Sequence, residues 1–181
     1  IVLLALTQFT VILDFMVMAP LGDILMKTMH LHTNQFATAV SAYAFSAGIS
    51  GIMAAGFADK YDRKKLLLFF YAGFMVGTFL CGIATSYSML LFGRIVTGVF
   101  AGVLGSAVFA IIADLFAFEH RGRVMGFVQM AFAGSQVLGI PTGLFLANHF
   151  GWEAPFFLIV GISLLTVFAI VKFMKPVTKH M

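Results

Sequence analysis

Charge is what this sequence has least of. Of its 181 residues, 10% are Asp, Glu, Lys or Arg and 61% are hydrophobic. An ordinary soluble domain carries about 25% charged residues. The single cysteine, Cys81, excludes an internal disulfide and leaves the redox compartment unmarked. No nucleophile–base set, phosphate loop or metal cluster is found, so an enzyme is not expected, nor a cofactor or metal. His30 and His32, two residues apart, would not share a helix face; with His149 they read as solvated loop residues. The net charge of +4 is no nucleic-acid signal, because the basic residues gather in short loops between apolar runs. An initiator Met and a basic leader are also lacking. The chain opens at Ile1 inside an apolar run and reads as clipped. That first run is too long for a signal-peptide core and has no small-residue cleavage site.

What is present is a series of apolar runs, each near the ~20 residues that cross a bilayer as a helix. Six spans can be drawn, over 2–22, 35–57, 66–84, 88–112, 124–147 and 155–174. A lipid-exposed open sheet would leave backbone groups unpaired, so helices are expected throughout. The predicted class is an all-α membrane protein of six transmembrane helices, with the whole of 1–181 forming one bundle. Its abundant Phe (22) and Met (11) fit lipid-facing and packing positions.

Lys and Arg set the expected orientation. With the N-terminus inside, nine of the eleven basic residues fall in inner loops or the tail: Lys60, Arg63, Lys64, Lys65, Arg121, Arg123, Lys172, Lys175 and Lys179. The positive-inside rule then places both termini in the cytoplasm.

Polar residues are unevenly shared among the spans. Gln8 and Asp14 lie in span one, Tyr43 in span two, Arg94 in span four, and Gln129 and Gln136 in span five. The interiors of spans three and six hold only Tyr71, Thr78, Cys81, Ser163 and Thr166. Spans three and six are therefore expected at the periphery, with the other four facing something polar. Asp14 and Arg94 each fall on the first helix of a triplet, a pattern that suits two inverted three-helix repeats. Small residues, among them Gly98, Gly102, Gly139 and Gly143, mark places where helix backbones can approach closely.

Asp14 lies about eight residues from the outer end of span one and Arg94 about six from the same face of span four. At the helical rise these depths are roughly 12 and 9 Å, so the two charges can meet. Tyr43 lies at a depth where it can join them. A lone charge at a helix centre costs about 2.5–3.5 kcal/mol on insertion scales, and pairing or a wet cavity offsets this. The pair is either purely structural or functional, and an ionisable residue at this depth is a functional hypothesis by default. Burial strengthens a carboxylate's hold on its proton and a nearby arginine weakens it. A group under both influences suits proton coupling.

The segment "AGFADKYDRKKLL", residues 55–67, resembles the signature of the major facilitator superfamily. Ala58, Asp59, Lys60, Arg63 and Lys64 fall on its positions, while Ala55 and Asp62 replace its two glycines. "LLFGRIVTGVFAG" is similar to the family pattern on helix four, with Leu90, Arg94 and Gly98 in register and Thr97 for the usual glutamine. "HRGRVMG", residues 120–126, resembles the loop before helix five. "GIPTG", residues 139–143, with Pro141 at its centre, then "GWEAPFF", look like segments of the drug and sugar efflux branch, with Glu153 in place of an arginine.

The resemblance covers essentially the whole chain and implies the N-terminal six-helix half of such a transporter. It implies proton-coupled export by alternating access, of a small amphipathic drug, sugar or nucleoside. The implied setting is a lipid bilayer, as a multi-pass protein of the bacterial inner membrane. The implied partners are substrate, protons, and either an absent C-terminal half or a second copy of the chain. On this reading Asp14, Arg94, Tyr43, Gln136 and Gln8 belong to the coupling cavity. Asp59, Lys60, Arg63 and Lys64 form an inner gate, and Gly98, Gly102, Gly139, Pro141 and Gly143 serve packing or kinking. A facilitator or symporter on the same scaffold, or a half-size membrane module without transport of its own, are the competing readings.

Overall fold

The computed structural model describes residues 1–58 and 61–175. Seven helices follow in order: α1 (Val2–Thr28), α2 (Thr33–Phe57), α3 (Arg63–Gly82), α4 (Tyr87–Leu115), α5 (Phe118–Gly134), α6 (Ile140–Phe150) and α7 (Ala154–Phe173). A π-helical turn, Ser135–Gly139, joins α5 to α6. Together these two helices make one apolar span, Phe118–Phe150, so six spans are long and apolar enough to cross a membrane. Among the described residues there is no strand.

The π turn has a local cause. Proline has no N–H, so Pro141 cannot donate to the carbonyl four residues back. The ladder widens just before it, and the N–H of Ile140 reaches Ser135 O, five residues away. Single π turns of this kind recur at functional places in helices.

Helix ends are satisfied by chemistry legible in the sequence. Asp62 caps α3, its Oδ1 accepting from the N–H groups of Lys64 at 2.7 Å and Lys65 at 3.4 Å. Ser86 caps α4, accepting from Met89 N–H. Gln35 reaches back to the N–H of His32 at the start of α2. At the other helix ends the basic residues act. Arg121 donates to Ala113 O and Phe116 O at the end of α4. Lys64 donates to Val171 O and Met174 O at the end of α7. Unpaired carbonyls and the negative end of the helix dipole favour cations there. Gly151, at φ 101°, makes the reversal between α6 and α7 that a side chain would strain.

α2 packs mainly on α4, α3 on α4 and α7, and α1 on the broken fifth span and α7. Glycine sets the closest approaches. A Cβ at Gly102 would stand 2.0 Å from Ala47 O, and one at Gly98 would stand 2.5 Å from Tyr43 O. Those two positions therefore fix how near α4 comes to α2. Gly139 and Gly143 do the same for the fifth span, against Leu13 and Val17 of α1. Gly77 of α3 lies against the backbone of Thr97 in α4.

Burial corrects one expectation. α3 is not peripheral in this bundle: Leu67, Tyr71, Phe74, Thr78 and Cys81 are fully buried. Exposed apolar faces lie on α2 and α5, where Phe45, Ile49, Ile52, Phe127 and Met130 are open, and also on α7, where Leu164, Leu165 and Phe168 are. The apolar-run reading could not see this, because residues facing lipid and residues facing protein share one composition.

Candidate functional site

The close packing of α3 and α4, with α1 laid beside them, brings three polar side chains to one point. Arg94 Nη1 donates to Asp14 Oδ2 at 2.7 Å and lies 3.5 Å from Asp14 O. Thr78 Oγ1 donates to the other carboxylate oxygen, Oδ1, at 3.1 Å. All three side chains are fully buried. Asp14 sits near the middle of α1, so the pair lies at the depth where hydration is least available.

Tyr43 closes the fourth side. Its ring centroid lies 4.3 Å from Arg94 Cζ, a cation–π contact. Its hydroxyl donates to Val11 O at 3.3 Å, and its ring stacks on Phe15 at 5.4 Å. Beyond the ring lies an open apolar groove of about 250 Å³ lined by Val11, Phe15, Met16, Ala101 and Phe132. The phenol thus stands between an apolar groove and a buried charge.

Arginine presents five N–H donors in a fixed fork. Here one nitrogen holds the carboxylate, while Nε and Nη2 are buried with no hydrogen-bond partner among the described residues. A buried donor left unpaired costs about 1–3 kcal/mol, more if charged. The guanidinium is therefore only partly satisfied in this arrangement, and a second one that pairs those nitrogens would stabilise it.

Other predicted residues fall elsewhere. Gln8 is buried on α1. Gln136 sits in the π turn and is exposed, as is Gln129, so neither is brought to the ion pair. At the opposite end of α4, Arg63 Nε pairs with Asp114 Oδ2 at 2.9 Å, tying the start of α3 to the end of α4. Lys64 caps α7 as described. Asp59 and Lys60 lie outside the described residues.

Thr78 is the residue that sequence reasoning passed over. Its signal was available: an arginine that engages one carboxylate oxygen leaves the second needing a donor. Thr78 is one of very few polar side chains in its span. Composition places its helix at the periphery, and only the packing of α3 on α4 brings it to the carboxylate.

A six-helix, multi-pass membrane bundle with a paired acid and base at its centre is the plan of one half of a secondary transporter. The comparisons make the class specific. The family model described as Major Facilitator Superfamily matches residues 4–180, and the chain belongs to that family.

Among curated relatives, the MFS-type transporter YceJ of Bacillus subtilis is 33% identical over 170 residues, 94% of this chain and 43% of its own length. Multidrug resistance protein 3 of the same species is 35% identical over 122 residues, 67% of this chain and 24% of that protein. The inward-open xylose transporter XylE of E. coli superposes with a TM-score of 0.82 at 16% identity, over 97% of this chain and 47% of that one. The chain thus spans less than half the length of each of these relatives.

Proposed function

We propose that this chain is the N-terminal half of a proton-coupled exporter of small amphipathic molecules, working by alternating access. The Asp14–Arg94 pair is its proton-responsive centre. The observation that carries the reading is the state of that pair: wholly buried at mid-span, with the guanidinium laid against the Tyr43 ring and two of its nitrogens without a hydrogen-bond partner among the described residues. A pair retained only for stability would gain by satisfying every donor, since a half-satisfied buried network is worse than an apolar one. Protonation of Asp14 weakens its tie to Arg94 and frees the guanidinium for another partner. That is a two-state element of the kind coupling requires.

Export is favoured by the name of the multidrug resistance relative. An amphipathic substrate is favoured by the open groove beside Tyr43, which is apolar apart from the phenol. Family membership argues for transport over an enzymatic role. Coverage of less than half of the relatives supports a C-terminal six-helix half as partner. The exposed apolar faces of α2 and α5 offer the surface for it. The basic residues at the ends of α4 and α7 support an orientation with both termini in the cytoplasm, in a bacterial inner membrane.

The test is uptake into proteoliposomes holding the complete transporter, under an imposed pH gradient, with labelled drug, sugar and nucleoside candidates. Accumulation against a gradient, abolished by a protonophore, is the expected result. Movement only down a gradient, indifferent to pH, favours the facilitator.

A further inference from the structure

Thr78 uses its hydroxyl differently from the other buried threonines of the bundle. Threonine in the interior of a helix commonly donates to the carbonyl one turn back. Thr7 does so to Leu3 O at 3.0 Å, Thr97 to Gly93 O at 2.7 Å and Thr166 to Ile162 O at 2.9 Å. Thr78 makes no such bond among the described residues. Its Oγ1 donates across to Asp14 Oδ1 at 3.1 Å, and its side chain is fully buried. A buried hydroxyl costs free energy unless it is paired, and valine would fill much the same space without that cost. The hydroxyl therefore acts on the carboxylate rather than on its own helix.

Thr78 and Arg94 belong to one packed unit, and Asp14 to another. Gly77 and Cys81 flank Thr78 on α3, while Gly93 and Thr97 flank Arg94 on α4. The two helices touch at both glycines. A Cβ at Gly77 would stand 2.7 Å from Thr97 N, and one at Gly93 would stand 3.2 Å from Cys81 N. α1 packs instead mainly on the fifth span and α7. Two donors, fixed relative to each other by backbone contact, thus form a clamp into which α1 brings the carboxylate. Arg94 takes Oδ2 and Thr78 takes Oδ1.

The surroundings leave these two as the donors to Asp14 among the described residues. The other ionisable side chains near the pair are Tyr43 of α2, whose ring covers the guanidinium, and Cys81, one turn from Thr78 on α3; both are buried. α5, α6 and α7 carry charge or histidine only near their ends, at Glu119, His120, Arg121, Arg123, His149 and Lys172.

We propose that Thr78 is a positioning residue for proton binding: it holds the Asp14 carboxylate in the clamp with Arg94 and sets the pH at which Asp14 takes up its proton. The inference rests on the proton-coupled reading given above. While Asp14 is ionised, the Thr78 bond is charge-assisted, and such bonds are roughly twice as strong as neutral ones. Oδ2 faces the guanidinium, so the added proton goes to Oδ1. The bond to Thr78 then loses its charge assistance. One proton is gained, by the carboxylate; Thr78 and Arg94 keep theirs. Thr78 thus favours the ionised form.

The test follows the Asp14 carboxyl infrared band, assigned by D14N, through a pH titration of the complete transporter in liposomes without substrate. T78V keeps the shape and removes the hydroxyl, while T78S keeps the hydroxyl. Losing a donor to the carboxylate favours the acid. The T78V midpoint should therefore lie about one pH unit above that of the unmodified protein, about tenfold in proton affinity. The T78S midpoint should match the unmodified one. A merely structural threonine would lower the melting temperature without moving the midpoint. T78A set against T78S makes the same comparison if T78V does not fold. Equal midpoints with and without the hydroxyl, or a T78S midpoint displaced as far as that of T78V, would overturn the role of Thr78 and leave the coupling reading standing. An Asp14 band that does not respond to pH in the unmodified protein would overturn both.

Discussion

Two ion pairs of nearly equal length bind α4 to its neighbours, and their surroundings set them apart. Asp14–Arg94 measures 2.7 Å with both side chains wholly buried, and Arg63–Asp114 measures 2.9 Å with Asp114 still 18% exposed. Distance alone would rank them together. Desolvation separates them, because a charge left behind at mid-span has no water to turn to, whereas one at the helix end does. The first pair is suited to change state under protonation, and the second to hold the ends of α3 and α4 together.

The largest effect should come from breaking the central pair on one side. Arg94→Ala leaves Asp14 buried without its partner, and such a change typically costs about 3–5 kcal/mol. Thermal unfolding in detergent should show it. Replacing both partners, Asp14→Leu with Arg94→Met, should cost far less, because no charge is stranded. A double variant as unstable as Arg94→Ala would mean that shape, not charge, holds this place.

Next in size is the packing that holds α4 against α2. Gly102→Leu forces a side chain onto Ala47 O, where even a Cβ would stand at 2.0 Å; overpacking costs about 1–3 kcal/mol and sometimes more. The control is Gly105→Leu, where a Cβ meets nothing within 4 Å. Equal yield and melting temperature for the two would show that α4 does not rely on this approach.

The peripheral pair should matter less. Arg63→Gln should lower stability by about 1 kcal/mol, and raised salt should reduce the difference, since Asp114 is partly hydrated. A loss as large as that of Arg94→Ala would erase the contrast. The smallest effect belongs to the Asp23–Lys27 pair, at 2.9 Å but 78% exposed on each side. Asp23→Asn should shift stability by less than ~0.5 kcal/mol, within the error of most melting curves.

Much of this arrangement was legible before any coordinates. The runs of apolar residues marked the spans, and the helical rise put Asp14 and Arg94 at matching depths. Asp62 and Ser86 announce helix starts by their side-chain oxygens, and Gly151 announces a helix end by having no side chain. What could not be read was rotation about the helix axes. Thr78 and Gln136 are both polar residues in apolar spans, yet one meets Asp14 and the other is exposed. Sequence gives their depth but not their azimuth; Gly77 against Thr97 bears on the first, and Gly139 and Gly143 against Leu13 and Val17 bear on the second. The π turn was hidden for a related reason: Pro141 signals a disturbed helix but does not say whether the ladder kinks, breaks or widens.

On the function proposed above, protonation of Asp14 drives the cycle, and transport by a neutral variant tests it. Complete transporter carrying Asp14→Asn, a neutral mimic of the protonated acid, is reconstituted beside the unmodified protein and given only a pH difference. The account predicts that the unmodified protein concentrates its substrate while Asp14→Asn binds it but does not concentrate it. Asp14→Asn protein that still accumulates substrate against its gradient would contradict the account and place the coupling site elsewhere in the transporter.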